Sequence, residues 1–192
     1  HRLASDDDTA SGLIALYFLM GVLAAPAWSW ATKRASKHRI WCWAMLYACV
    51  VFAAVPFLGA GDVVAFAVVC VLTGIAFGAD IVLPPAIQAD VVDIDTAQTG
   101  EQRTGLYFAI WSVVTKAAQG ILGGIGLLVL SQLGFDPNGS NSETVLWGLT
   151  ALYAGVPIVL KLAAVALTWN FDLDADTQAD LRSRIENRAG TV

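Results

Sequence analysis

The first feature with chemical potential is a lysine inside an apolar segment. Lys116 lies about ten residues into segment 106–133, so its ammonium group would be about 15 Å deep in a membrane-spanning helix. A lysine at that depth costs at least ~3 kcal/mol unless it faces a charged partner or a wet cavity. We therefore predict that Lys116 lines a solute pathway; the alternative is a structural ion pair with a neighbouring helix. Trp111, in the same segment, is a second cavity candidate, because the other tryptophans lie near segment ends and fit interfacial anchoring.

Two further charged residues lie within apolar segments. Asp80 stands shortly before the pair Pro84-Pro85 in segment 63–87, and it either contributes to a cavity wall or pairs with a cation near the helix end. Asp80 is therefore the third candidate cavity residue. Lys161 lies closer to the end of its segment, where its long side chain is expected to snorkel to the interface.

A group of charges between the third and fourth apolar segments forms a candidate gate. Asp90 and Asp93 are three residues apart on one face of a helix end, Asp95 extends the acidic patch, and Arg103 opens the next helix. Acidic residues at the end of one helix and an arginine at the start of the next form ion pairs that hold one face of a helical bundle closed. We predict such a gate in a loop covering residues 88–105. The alternatives are a solvated acidic loop or a calcium site, and the spacing fails the calcium motif.

Composition narrows the class of protein. Of the 192 residues, 57% are hydrophobic and only 14% are charged, whereas soluble domains carry about a quarter charged residues. The net charge of −5 argues against a nucleic-acid partner, which needs a basic surface. Three cysteines without metal-ligand spacing, and the lack of a nucleophile–base pair within the apolar segments, predict neither a cofactor nor an enzyme.

The hydrophobic pattern predicts an all-α polytopic membrane protein. Five apolar segments are long enough to cross a bilayer as helices. They cover residues 11–30, 40–58, 63–87, 106–133 and 145–169. Gly74-x-x-x-Gly78 and Gly120-x-x-x-Gly124 predict close helix packing, with local unwinding around a ligand as the alternative. Prolines inside the segments are expected to kink or end their helices.

The distribution of Lys and Arg predicts the orientation. Eight of these cations fall on the side that holds the loops after the first and third segments and the chain end, against one on the other side. The C-terminus is therefore predicted to be cytoplasmic and the N-terminus external. An external N-terminus with an odd number of spans is expected for a fragment of a longer protein.

Three motifs stand out along the chain. The most specific runs Asp90-Val-Val-Asp93-x-Asp95, then Thr99-Gly100-x-x-Arg103-x-Gly105-x-Tyr107, then Lys116. The others are Pro26-x-Trp28 followed by the basic cluster at 33–39, and Leu133-Gly134-Phe135. Together these motifs resemble one known family, the glycoside–pentoside–hexuronide:cation symporters, the melibiose-permease-like branch of the major facilitator superfamily. The resemblance implies that the five spans match helices eight to twelve of a twelve-helix fold, with Lys116 at the central cavity.

The same resemblance implies a function. Its members carry a sugar or glycoside together with sodium, protons or lithium by alternating access, and their cation-site carboxylates lie in the N-terminal half. We therefore expect residues 1–169 to form part of the C-terminal bundle of a transporter in the plasma (inner) membrane, inactive without the missing N-terminal half. Residues 170–192 are expected to form a cytoplasmic tail with a short amphipathic helix. The alternative is a membrane scaffold or subunit that transports nothing.

Overall fold

The computed structural model describes residues 7–59, 61–137 and 139–171, and these residues form helices and no strand. The helices are α1 (Asp7–Ala31), α2 (Lys37–Phe52), α3 (Val63–Thr99), α4 (Thr104–Gln132), α5 (Glu143–Thr150) and α6 (Val156–Thr168). A 3₁₀ turn at Val55–Phe57 follows α2, and a π-helical turn at Ala151–Gly155 joins α5 to α6. The all-α prediction is confirmed.

The described residues contain five helices long and apolar enough to cross a membrane, as predicted. The last of them, Glu143–Thr168, runs continuously through α5, the π turn and α6. Pro157 stands at the start of α6 and lacks the amide hydrogen that a regular helix would bond to residue 153. The wider π turn just before Pro157 lets the chain continue without ending the span. Helices α1 and α3 also continue through Pro26 and through Pro84 and Pro85.

The prediction of a loop over residues 88–105 is wrong for residues 88–99, and the connection between the helices is limited to residues 100–103. Helix α3 continues to Thr99 and ends at Gly100, which adopts the left-handed conformation with φ +76°. Thirty-seven residues make a helix of about 55 Å, so α3 extends well beyond a hydrocarbon core of about 30 Å. Residues 100–103 connect it to α4. The acidic patch therefore lies on a rigid helix rather than on a loop.

Helix α3 occupies the centre of the bundle, with α1 against one side and α2 against another; α6 packs on α2. Glycines permit the close contact of α1 with α3. A Cβ atom added at Gly74 would lie 2.5 Å from the Tyr17 carbonyl oxygen, and one added at Gly78 would lie 2.6 Å from the Gly21 carbonyl oxygen. The close packing predicted for Gly74-x-x-x-Gly78 is thus confirmed.

Helix α4 packs less closely against the rest of the bundle than α1, α2 and α3 do. Its main contacts within the described residues are with α3, and none of its residues is buried. Added Cβ atoms at Gly120 and Gly124 would meet nothing within 4 Å. The close packing predicted for this pair therefore has no partner helix among the described residues, and the glycine face of α4 is open.

We expect Gly78→Ala to destabilise the protein, because the new methyl group would collide with backbone of α1. Overpacking of this kind costs about 1–3 kcal/mol, which lowers the thermal midpoint of the complete protein by several degrees. Gly12→Ala is the matched control, since a Cβ atom there meets nothing within 4 Å. Equal melting temperatures for the two variants, measured in detergent, would contradict the close approach.

Candidate functional site

An ion-pair cluster within the spans joins three helices. Lys161 Nζ of α6 donates to Asp80 Oδ2 of α3 at 2.9 Å, and Trp41 Nε1 of α2 donates to Asp80 Oδ1 at 2.8 Å. The two charged side chains are 24% and 30% exposed. Each charge is neutralised by the other at membrane depth, as an intramembrane charge requires. Of the two alternatives for Asp80, the structure shows the ion pair. The expectation that Lys161 snorkels to the interface is wrong, because its ammonium group pairs with Asp80.

A second ion pair connects α2 with α3 nearer the end of the bundle. We call this end, which carries loop 32–36, Lys37 and Arg103, the basic end. Lys37 Nζ donates to both oxygens of Asp90 at 2.7 and 2.8 Å. The Asp90 side chain is only 5% exposed. A carboxylate so deeply buried depends on its cation, because removing one partner leaves an uncompensated charge.

A third pair bridges the connection between α3 and α4. Arg103 donates to Asp95 through both Nη2, at 2.8 Å, and Nε, at 3.1 Å. This two-point geometry is the strong form of a carboxylate–guanidinium contact. Glu101 lies 3.6 Å from the Arg103 Nε atom and is largely exposed. The predicted contact of Arg103 with an acidic residue of the preceding helix thus forms, and its partner is Asp95.

The four predicted gate residues therefore enter separate contacts. Asp90 faces α2, Asp95 faces the start of α4, and Asp93, which is half-buried, is also engaged. The Lys37–Asp90 and Arg103–Asp95 ion pairs both join helices of the same bundle. What they fix is the position of α2 and of the start of α4 relative to the long helix α3.

Lys116 lies on the polar and small face of α4. Positions three, four and seven apart share a helix face. That face holds Ser112, Lys116, Gln119, Gly120 and Gly123. Lys116 is exposed, and no carboxylate of the described residues lies within ion-pair distance of it. Its charge is therefore not neutralised by the part of the chain that the structure describes.

Trp111 does not share this face. Five residues separate it from Lys116, which is about 140° around the helix axis. Its side chain is 43% exposed. The structure therefore does not bring together the three candidate cavity residues, because Asp80 is engaged by Lys161 and Trp111 lies on another side of α4 from Lys116.

Comparison with known proteins identifies the family. The model of the family described as MFS/sugar transport protein matches residues 2–175. The chain belongs to this family. It is 28% identical over 103 residues to the glucuronide carrier protein homolog of Escherichia coli (strain K12), which covers 54% of the chain and 22% of that protein. It is 24% identical over 136 residues to an uncharacterized symporter of Synechocystis sp., which covers 67% of the chain and 25% of that protein.

Membership of the MFS/sugar transport family confirms the resemblance to the glycoside–pentoside–hexuronide:cation symporters. The family match and the five apolar helices also confirm the prediction of a multi-pass membrane protein that belongs to a transporter family. The chain spans about a quarter of the length of the curated relatives it matches.

Sequence reasoning missed three residues of this MFS/sugar transport chain that form ion pairs or hydrogen bonds with candidate residues. Lys37 is one of several cations in the basic cluster, Trp41 is one of several interfacial tryptophans, and Lys161 has the length to reach the interface. Nothing in their local sequence distinguishes them, because their partners lie 39 to 81 residues away. The one signal in the sequence for the pair of Asp80 with Lys161 is that both charged residues lie at a similar predicted depth in the membrane.

We expect Arg103→Ala in the complete MFS/sugar transport protein to reduce sugar uptake about threefold to tenfold. The physical reason is the loss of the two-point contact with Asp95, discounted because the Arg103 side chain is 40% exposed. Glu101→Gln is the control, since its side chain is 72% exposed and makes only the longer contact. Initial uptake rates in whole cells, corrected for protein amount, give the measurement. Unchanged uptake in the Arg103 variant would remove this residue from the gate.

Proposed function

We propose that these residues form part of a secondary active transporter that carries a sugar or glycoside together with a cation by alternating access. The sugar-transport family and the relatives named as a glucuronide carrier and a symporter support this function. Because the chain spans about a quarter of those relatives, the proposed activity is that of a longer protein, in which this bundle works against an N-terminal half.

The observation that carries the proposal is the state of Lys116. An ammonium group near the middle of a span, exposed and unpaired within the described residues, needs water, substrate or a carboxylate from elsewhere in the protein. The polar and small residues around it favour a surface in contact with water, because the hydrogen-bonding groups of Ser112 and Gln119 would lack partners in lipid. The open glycine face allows a substrate or a facing helix to approach the α4 backbone closely.

The long helix α3 connects the residues within the membrane with the gate residues at the basic end. It carries Asp80 within the membrane and the gate residues Asp90, Asp93 and Asp95 beyond it. Asp90 holds α2, and Asp95 holds Arg103 at the start of α4. A movement of α4 that accompanies solute passage would therefore act on the Arg103 contact first. We propose that this contact breaks in the inward-open state.

The orientation follows from the basic end. Loop 32–36, Lys37 and Arg103 lie at the same end of the bundle, as do the ends of α1, α3 and α6. Because cations accumulate on the cytoplasmic side of membrane proteins, we place this end and the C-terminus in the cytoplasm, in a plasma membrane. The amphipathic helix expected in residues 170–192 falls almost entirely outside the described residues and stays a prediction.

Uptake into vesicles tests the function. The complete protein, reconstituted into liposomes, should accumulate a radiolabelled glucuronide or another glycoside above its external concentration when an inward sodium or proton gradient is imposed. Dissipating the effective gradient with the matching ionophore should return accumulation to equilibrium. Accumulation that ignores both gradients would contradict cation coupling. Absence of uptake for every glycoside tested would favour a scaffold over a carrier.

A further inference from the structure

The seam between α2 and α6 at the basic end presents two exposed indole rings. Trp43 of α2 and Trp169, directly after α6, meet edge to face with ring centroids 6.0 Å apart and planes at 66°. Behind them, the Cys42 Sγ and Thr168 Oγ1 atoms are 3.3 Å apart, so the seam itself is closed. Trp43 is 62% exposed and Trp169 is 38% exposed. The rings thus form an outward-facing aromatic surface.

The hydrogen-bonding groups of these rings set them apart from tryptophans inside the bundle. Trp28 Nε1 donates to the Ile75 carbonyl oxygen at 2.7 Å, and Trp41 Nε1 donates to Asp80. By contrast, the described residues offer no acceptor to the indole N–H of Trp43 or Trp169. Because an indole at an interface normally finds an acceptor, these two donors are available to a ligand at the headgroup level.

A cation completes the surface. Arg39 precedes Trp43 by four residues, so it lies on the same face of α2, one turn nearer the basic end. Its side chain is exposed, and no carboxylate of the described chain pairs with it. On the same face, Val50 is 74% exposed and continues the surface as apolar. A guanidinium, two indole donors and an apolar strip therefore follow one another from the end of the helix inwards.

We propose that this surface binds an anionic phospholipid. The lipid phosphate would accept from the Arg39 guanidinium, which matches phosphate oxygens at two points. Ester oxygens of the glycerol would accept from the free indole N–H groups, and an acyl chain would lie along the strip towards Val50. Zwitterionic lipid fits less well, since its ammonium group would meet a cationic surface.

Titration of the purified complete protein with dioleoyl phosphatidylglycerol, followed by native mass spectrometry, tests the site. We expect one phosphatidylglycerol to bind at least about tenfold more tightly than phosphatidylcholine, because the ammonium group of phosphatidylcholine offsets the attraction of its phosphate to Arg39. Arg39→Gln should remove that preference, and Trp43→Leu should weaken binding of both lipids. Lys33→Gln is the matched control: it removes the same charge from the neighbouring loop and should leave the preference intact.

Three results would overturn the site. Equal loss of the preference in the Arg39 and Lys33 variants would show diffuse surface charge instead of a defined site. Displacement of phosphatidylglycerol by millimolar inorganic phosphate would show a phosphate site without a lipid requirement. Binding that appears only after truncation behind Phe171 would mean that the acidic residues of the following segment cover the cations. These residues are Asp172, Asp174, Asp176, Asp180 and Glu186.

Discussion

Replacement of Lys116 by alanine should strongly reduce concentrative sugar uptake by the complete protein. The ammonium group lies mid-span with no described counter-charge, so its interactions are with the solute pathway or with groups in the rest of the protein. Loss of one charge-assisted hydrogen bond costs about 1.5–3 kcal/mol, which predicts a fall of at least about tenfold in the initial rate. Radiolabelled-sugar uptake into liposomes gives the rate.

Two variants make the interpretation specific. Lys116→Arg keeps the charge but changes its shape, so partial transport is expected if charge alone is needed. Lys33→Ala removes a lysine from an exposed loop and should leave uptake unchanged. Near-normal accumulation by Lys116→Ala, with the protein present in the membrane at wild-type amounts, would refute the pathway assignment.

The second large effect is expected at the intramembrane ion pair. Neutralising one partner, as in Asp80→Asn or Lys161→Met, leaves the other charge uncompensated within the membrane. Removal of one member of a buried pair costs about 3–5 kcal/mol, and because each side chain here is up to 30% exposed we expect about 2–3 kcal/mol. The measurement is the thermal midpoint of the purified complete protein in detergent.

The double variant Asp80→Asn/Lys161→Met should recover most of that loss, because no isolated charge remains. Trp41→Phe provides a graded control: it removes only the indole donor to Asp80, at a cost of about 1 kcal/mol. If both single variants melt at the wild-type temperature, the pair contributes nothing. If the double variant is as unstable as the sum of the single ones, the two residues act independently.

Much of the fold follows from local properties of the sequence. Uninterrupted apolar runs predict the five spans because a helix satisfies its own backbone hydrogen bonds and needs no distant partner in lipid. Small residues at a four-residue spacing predict that Gly74 and Gly78 pack closely against another helix for an equally local reason, since they expose backbone on one helix face. The structure identifies that helix as α1. Where the prediction fails, at residues 88–99, the acidic and amide side chains read as a loop. In the structure they continue α3 as a helix, on which Asp90 and Asp95 pair with Lys37 and Arg103, residues that a reading of the local sequence does not assign to them.

By itself, then, the sequence determined the all-α class, the spans, the family motifs and the presence of an intramembrane lysine. The tertiary structure alone decided which charges meet, namely Asp80 with Lys161 and Asp90 with Lys37. It also decided that Lys116 has no ion-pair partner among the described residues. Residues 53 to 81 positions apart are brought together by the crossing of whole helices, and no short pattern encodes that distance. The local sequence determines where each helix lies along the chain, whereas the packing of the helices determines which residue each charged side chain contacts.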